Sequence, residues 1–236
     1  MAQAQPQTTG YKFLTSDMKS MSDHCCKWVA GEWKRHEGPL EMCRSGFHYW
    51  KEPLDAFRYV YDNSMRMVDD AILTMVEAGD TEITEGHKTV AREMRVKRVL
   101  DTKWIAVQFA VACARRSFPA YEKAYPDDDS IRLAIEAAET WLKDPSEMNR
   151  SAAWSSARRA WSAAWHAFRH AEPVIWSASW SAARCAESAG KSVLKFTAWS
   201  AASCAEFAIW PLREGTLVSA ERKWQNMTLK SIIRES

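Results

Sequence analysis

The spacing of apolar residues changes near residue 102. Before it, apolar and aromatic positions come in short runs: Tyr11–Leu14, Trp28–Val29 with Gly31–Trp33, Leu40–Cys43 and Phe47–Trp50. Gly31, Gly38–Pro39 and Gly46 punctuate these runs, which predicts short strands and turns. Pro53–Tyr61 reads as a short helix with proline in its first turn. Val68–Val76 and Lys88–Val99 suit strands, with Thr81–His87 as a hairpin connection. Residues 1–9 are expected to be a tail, and residues 10–101 a small α+β module.

From Trp104 onward the period is helical. A helix is expected over Trp104–Phe118, stopping before Pro119, and another over Asp128–Lys143, where three aspartates complement the positive end of the helix dipole. Ser146 is a suitable N-cap for a third helix running to about Ala171. Pro173 opens a fourth that ends near Gly190, a fifth runs from about Lys191 to Trp210, and Ser219–Arg234 can form one more. The expected fold class is therefore α+β: a strand-rich N-terminal module followed by an all-α, Trp/Ala-rich bundle over residues 102–236.

The octapeptides Trp180–Glu187 (WSAARCAE) and Trp199–Glu206 (WSAASCAE) form a repeat, and Trp161–Ala164 (WSAA) is a fragment upstream. Short repeats of this kind suit stacked helices that cannot bury their faces alone. On the Ser146–Ala171 helix, Trp154, Trp161, Trp165 and Phe168 fall within about 60° of one another, and Arg158 shares their stripe. Beside them runs a small-residue stripe of Ala153, Ala157, Ala160, Ala164 and Ala167. Interdigitation of large and small faces in a core would turn the tryptophans inward, which is the expected arrangement. The other reading is an outward Trp/Arg surface for a partner, because these types dominate interface hot spots.

Composition narrows the function classes. The chain has 236 residues, 32 basic against 30 acidic, so a net charge of +2 offers no phosphate-binding footprint and no nucleic-acid partner is expected. Of its 13 tryptophans, eight lie between Trp141 and Trp210. The opening residues lack a basic region followed by an apolar stretch, and charge-free runs of the Trp-rich half are too short to span a bilayer. The expectation is a cytoplasmic protein of a bacterial host cell, not a membrane protein, with its six cysteines reduced.

Candidate chemistry is sparse. Asp127, Asp128 and Asp129 cap a helix or form an acidic patch for a basic protein surface, and nothing points to a phosphate-bearing substrate that would make them a Mg²⁺ site. His24, Cys25, Cys26, Cys43 and His48 lack the paired spacing of zinc knuckles, so no metal is expected. Tyr11, Cys43, His48 and Tyr59 are the candidates for a small-ligand pocket in the N-terminal module. There is no nucleophile elbow, P-loop or dinucleotide glycine motif, so neither a catalytic residue nor a cofactor is assigned.

Three resemblances add to this. Gly10–Ser20 (GYKFLTSDMKS), Leu40–Val60 (LEMCRSGFHYWKEPLDAFRYV) and His87–Leu100 (HKTVAREMRVKRVL) together resemble a domain of unknown function common in phage and prophage proteins, which implies a mobile-element setting. Phe109–Leu142 (FAVACARRSFPAYEKAYPDDDSIRLAIEAAETWL) resembles the all-helical immunity proteins of bacterial polymorphic-toxin systems. That family tends to continue its acid run with Arg-Pro-Arg, whereas Ser130–Ile131–Arg132 keeps only the last arginine. The match implies a non-catalytic protein that binds and neutralises another protein. The Cys43–Tyr59 pattern, a Gly-Phe-His turn followed by a helix ending in tyrosine, also resembles ADP-ribosyltransferase-like folds, although no Arg-Ser-Glu or His-Tyr-Glu set is assigned to carry their chemistry.

The leading expectation is a phage-associated inhibitor that binds a bacterial defence or toxin protein through Asp127, Asp128, Asp129, Trp154, Arg158, Trp161 and Trp165. The alternatives are a nucleotide- or small-ligand-sequestering protein acting through the N-terminal module, and a transferase-like enzyme. The Trp/Ala faces could equally close a homo-oligomer.

Overall fold

The computed structural model describes residues 8–21, 26–63, 70–170, 173–191, 200–203 and 215–236. The chain divides into two compact units, Met1–Asp101 and Thr102–Ser236. The first is α+β and the second helical among the described residues.

The first unit contains β1 (Thr8–Leu14), β2 (Lys34–Arg35), β3 (Phe47–Tyr49), α1 (Pro53–Asn63), β4 (Ile72–Glu85) and β5 (Lys88–Val99). All pairings between these strands are antiparallel, in the order β1-β4-β5-β2, with β3 also on β5. The residue after β3 then pairs back to β1. Tyr11 N–H donates to Trp50 O at 2.7 Å and Trp50 N–H to Tyr11 O at 2.9 Å, closing the sheet into a small barrel. Two register shifts in the β4–β5 ladder, at Met75/Val76 and between Gly79 and Glu82, supply the bend that closure needs.

Inside the barrel, Leu14, Trp28, Tyr49, Val76, Ala78, Ala91, Met94 and Val96 form one buried cluster. Gly10 shares its face of β1 with Leu14 and admits no side chain: a Cβ there would lie 2.5 Å from Tyr49 Cε2 and 2.7 Å from Trp50 O. On the other face of β1, Phe13 meets Phe57 of α1 edge-on, with ring centroids 5.8 Å apart.

Several short runs differ from expectation. The hairpin loop is only Gly86–His87, because Glu85 pairs with Lys88 and Gly86 supplies the positive φ of +57° that a tight primed turn uses. The β-branched Thr81, Ile83 and Thr84 therefore belong to β4 and not to a loop. Trp28–Trp33 and Leu40–Cys43 make single bridges, Ala30 with Val96 and Glu41 with Ser45, in place of strands. Part of the expected Val68–Val76 strand lies outside the described residues, and the resolved strand begins at Ile72.

The second unit contains α2 (Thr102–Ala124), α3 (Ser130–Lys143), α4 (Glu147–His170), α5 (Pro173–Gly190) and α6 (Gly215–Glu235), with residues 200–203 also helical. Helix α2 does not stop at Phe118; it runs through Pro119. Ala110, Ala114, Phe118 and Tyr121 continue one buried stripe across the proline, so packing outweighs the lost N–H. At the start of α4, Ser146 Oγ accepts from Asn149 N–H at 3.4 Å, the N-cap role its position predicts. Most of the expected Lys191–Trp210 helix lies outside the described residues, and of the second WSAA octapeptide only residues 200–203 are described. A bidentate pair ties α2 to α3, with Arg115 Nε and Nη2 donating to Glu139 at 2.8 Å each.

The expected orientation of α4 is overturned. Ala153, Ala157, Ala160 and Ala164 are buried, whereas Trp154 is 40 % and Trp165 is 54 % exposed. The reason is the close approach of α4 and α5. A Cβ on Gly190 would lie 2.9 Å from Trp154 Cα, a separation that only small side chains on the facing stripes allow. On α5 those small residues include Ser179, Ser181, Ala182, Ala183, Ala186, Ser188 and Ala189, all buried.

Candidate functional site

Two features of the described residues have the makings of a site, one in each unit. The first is a cavity of about 350 Å³ against the barrel. The turn between Leu40 and Gly46 forms one wall, held in a backbone conformation with Cys43 at φ +63° and Gly46 at φ +99°. His48 fixes that turn. Its Nε2 accepts from Cys43 N–H at 2.8 Å, which places the ring proton on Nδ1. Burial, reinforced by the charges of Lys88 and Lys12, lowers the His48 pKa from 6.5 to about 4, so the ring is neutral at ordinary pH.

Around this turn the cavity is cationic. Lys12 Nζ donates to His48 O at 2.7 Å, and Lys88 Nζ lies 3.5 Å from Cys43 Sγ and 5.8 Å from the Tyr59 ring centroid. The Tyr59 and Trp50 rings are in contact, with centroids 4.7 Å apart and a tilt of 40°. Arg44 is also in the lining, and among the described lining residues none is acidic. Of the four residues that the sequence offers for a pocket, Cys43, His48 and Tyr59 meet here. Tyr11 is buried with its backbone bridged to Trp50, and it is not among the lining residues. Sequence reading missed Lys12, Arg44 and Lys88, because a lone lysine or arginine on a strand or turn carries no motif.

The second feature is the outer face of α4. Trp154, Arg158, Trp161 and Trp165 recur at helical spacing along it; Arg158 is exposed and Trp161 half-buried. Residues of α5 border the strip. Trp161 packs edge-on against Trp180 with centroids 4.0 Å apart, and the Arg184 guanidinium sits 4.5 Å from the Trp161 ring and 5.7 Å from Trp180. Arg184 is itself oriented by Glu187 at 2.5 Å. At the far end Lys191 Nζ lies 4.5 Å from the Trp154 ring. Cation–π contacts of this kind contribute about 0.5–1 kcal/mol each at exposed sites and restrict ring motion. Trp180, Arg184 and Lys191 are additions that only the α4–α5 packing reveals. The side chain of Phe168 lies outside the described residues.

The acid run is used locally. Tyr121 Oη donates to Asp128 Oδ2 at 2.7 Å, Ser130 N–H donates to Asp128 Oδ1 at 2.8 Å, and Asp129 pairs with Arg132 at 2.5 Å. Asp127, Asp128 and Asp129 are all exposed at this corner between α2 and α3. Burial and the Asp128 hydrogen bond push the Tyr121 phenol well above its ordinary range, so it remains a donor.

Among the described residues no three His, Cys, Asp or Glu side chains are grouped to hold a metal, and His24 and Cys25 lie outside them. Cys26, Cys43, Cys113 and Cys185 are free thiols. Among the described residues no helix is long and apolar enough to cross a membrane.

No curated protein and no solved structure matches the chain. The barrel, with its cavity, and the start of α2 lie within residues 8–107, which match the family described as a domain of unknown function (DUF7666).

Proposed function

We propose that the helical unit is a protein-binding module and that the chain acts by stoichiometric occupancy of a bacterial protein, as an inhibitor in a phage or mobile-element setting. The observation that carries this reading is the outward face of α4. Trp154 and Trp165 are 40 % and 54 % exposed although Ala153, Ala157, Ala160 and Ala164 of the same helix are buried. Large aromatic rings left in water, with guanidinium and ammonium groups held against their neighbours, form the kind of surface that concentrates binding energy. Rings fixed by Arg184 and Lys191 also lose less freedom on association than mobile ones. The resemblance of Phe109–Leu142 to immunity proteins supports the same class of activity, and the absence of a catalytic motif in the sequence is consistent with it.

The test is capture of a partner from bacterial lysate by the full chain, followed by titration of that partner. The reading expects one saturable partner, bound with fixed stoichiometry, whose affinity falls at least tenfold in a Trp154→Ala/Trp165→Ala variant of unchanged melting temperature (about 1.4 kcal/mol or more). Equal affinity of the variant would overturn it. The acid run provides a separate arm: charge reversal at Asp127 should slow association at low salt if that corner also faces the partner.

A further inference from the structure

We infer that the surface recognised by the outer face of α4 is an apolar patch of a protein with an Asp or Glu carboxylate near its centre, bound by Arg158. The inference rests on the protein-binding reading of that face and adds the chemistry of what covers it. By helical rise, Arg158 stands about 6 Å along the axis from Trp154 and about 10 Å from Trp165. A partner that covers both exposed rings therefore also covers the guanidinium between them.

Arg158 is exposed and, among the described residues, its side chain makes no hydrogen bond, ion pair or ring contact. This sets it apart. Every arginine of α2 and α3, and Arg184 on α5, lies within salt-bridge distance of a carboxylate. No acid of α4 or α5 is left to serve Arg158. Glu147, the one acidic residue of α4, is paired with Arg150, and Glu187, the one acidic residue of α5, is buried and shared by Arg184 at 2.5 Å and Lys191 at 3.4 Å. Covering Arg158 with neutral surface would strand a desolvated charge, so the counter-charge has to come from the partner. The planar guanidinium fork matches a carboxylate through two parallel N–H···O bonds. Tryptophan rings on either side would keep water from that pair and so strengthen it. A polyanion such as nucleic acid suits the face less well, because it calls for a row of unpaired cations and the chain has a net charge of only +2.

The experiment is selection of a displayed library of random peptides against the full chain, followed by titration of individual binders. Binders selected by the wild type are expected to be enriched in Asp and Glu beside Leu and aromatic residues, and to weaken as salt is raised. Arg158→Gln should weaken them about tenfold or more, the loss of a charge-assisted hydrogen bond. Arg158→Glu, at an exposed helical position that accepts either residue, should turn the selection towards Lys and Arg while melting like the wild type. Binders that need Trp154 and Trp165 but carry no excess of acid, or that ignore Arg158→Gln, overturn the inference and leave the protein-binding reading of α4 standing. Binders indifferent to Trp154→Ala/Trp165→Ala overturn both. Failure to select any binder also overturns the inference, and Arg158-dependent association with vesicles of phosphatidylcholine and phosphatidylglycerol would then assign the face to an anionic membrane surface.

Discussion

Replacing Gly10 by alanine tests the closure of the barrel at its tightest point. The new Cβ would lie 2.5 Å from Tyr49 Cε2 and 2.7 Å from Trp50 O, where an ordinary carbon contact needs about 3.5–4 Å. Neither neighbour can yield easily. Tyr49 is fully buried and its Oη donates to Glu82 Oε1 at 2.6 Å, while Trp50 O accepts the N–H of Tyr11 that closes the sheet. Burial and Glu82 hold the Tyr49 phenol above its ordinary range, so this anchor persists across the working pH. Overpacking of this kind costs about 1–3 kcal/mol, and weakening the two closing hydrogen bonds adds about 1 kcal/mol. Alanine recovers about 0.5–1 kcal/mol by stiffening the unfolded chain, so a net loss of about 2–3 kcal/mol is expected. For a unit of this size that corresponds to roughly 10–20 °C in Tm. Thermal unfolding followed by near-UV circular dichroism reads it, and a variant melting within about 2 °C of the wild type would refute the closed barrel.

Three further perturbations separate the roles assigned above. Because the folded-state pKa of His48 is depressed, its contribution is full above pH 6.5 and is lost as pH falls towards 4; after allowance for solvent screening this is about 1–2 kcal/mol. Urea midpoints at several pH values should therefore fall more steeply in the wild type than in His48→Gln, and parallel slopes would contradict the assignment. Trp165→Ala should change stability by less than about 1 kcal/mol, whereas a core tryptophan would cost about 3–5 kcal/mol on chemical unfolding. Arg116→Met should cost about 1–2 kcal/mol and loosen α6 in hydrogen exchange, because Arg116 Nε holds the buried Glu221 at 2.7 Å and its guanidinium lies 4.5 Å from the Trp224 ring.

What the sequence made legible follows from how local each signal is. Ser146, Pro173 and Gly190 mark helix ends through local backbone chemistry, and the observed ends of α4 and α5 fall beside them. Pro119 misleads because the buried stripe through Phe118 and Tyr121 is a tertiary effect that a local rule does not weigh. The orientation of α4 is similarly non-local. Its two stripes are both visible in sequence, but which one faces inward depends on how closely α5 approaches, and Gly190 against Trp154 decides that. In the barrel, Cys43, His48 and Tyr59 were identifiable by type, whereas Lys12 and Lys88 acquire meaning only when β1 and β5 bring them to the same turn.

The most direct test of the protein-binding reading is site-specific photocrosslinking in bacterial cells, with a photoreactive residue at position 165 and a control at Met227, which is 61 % exposed on α6. The account predicts a discrete crosslinked protein from position 165 that is not formed from position 227. Crosslinks of equal yield from both positions, or none from position 165, would contradict it.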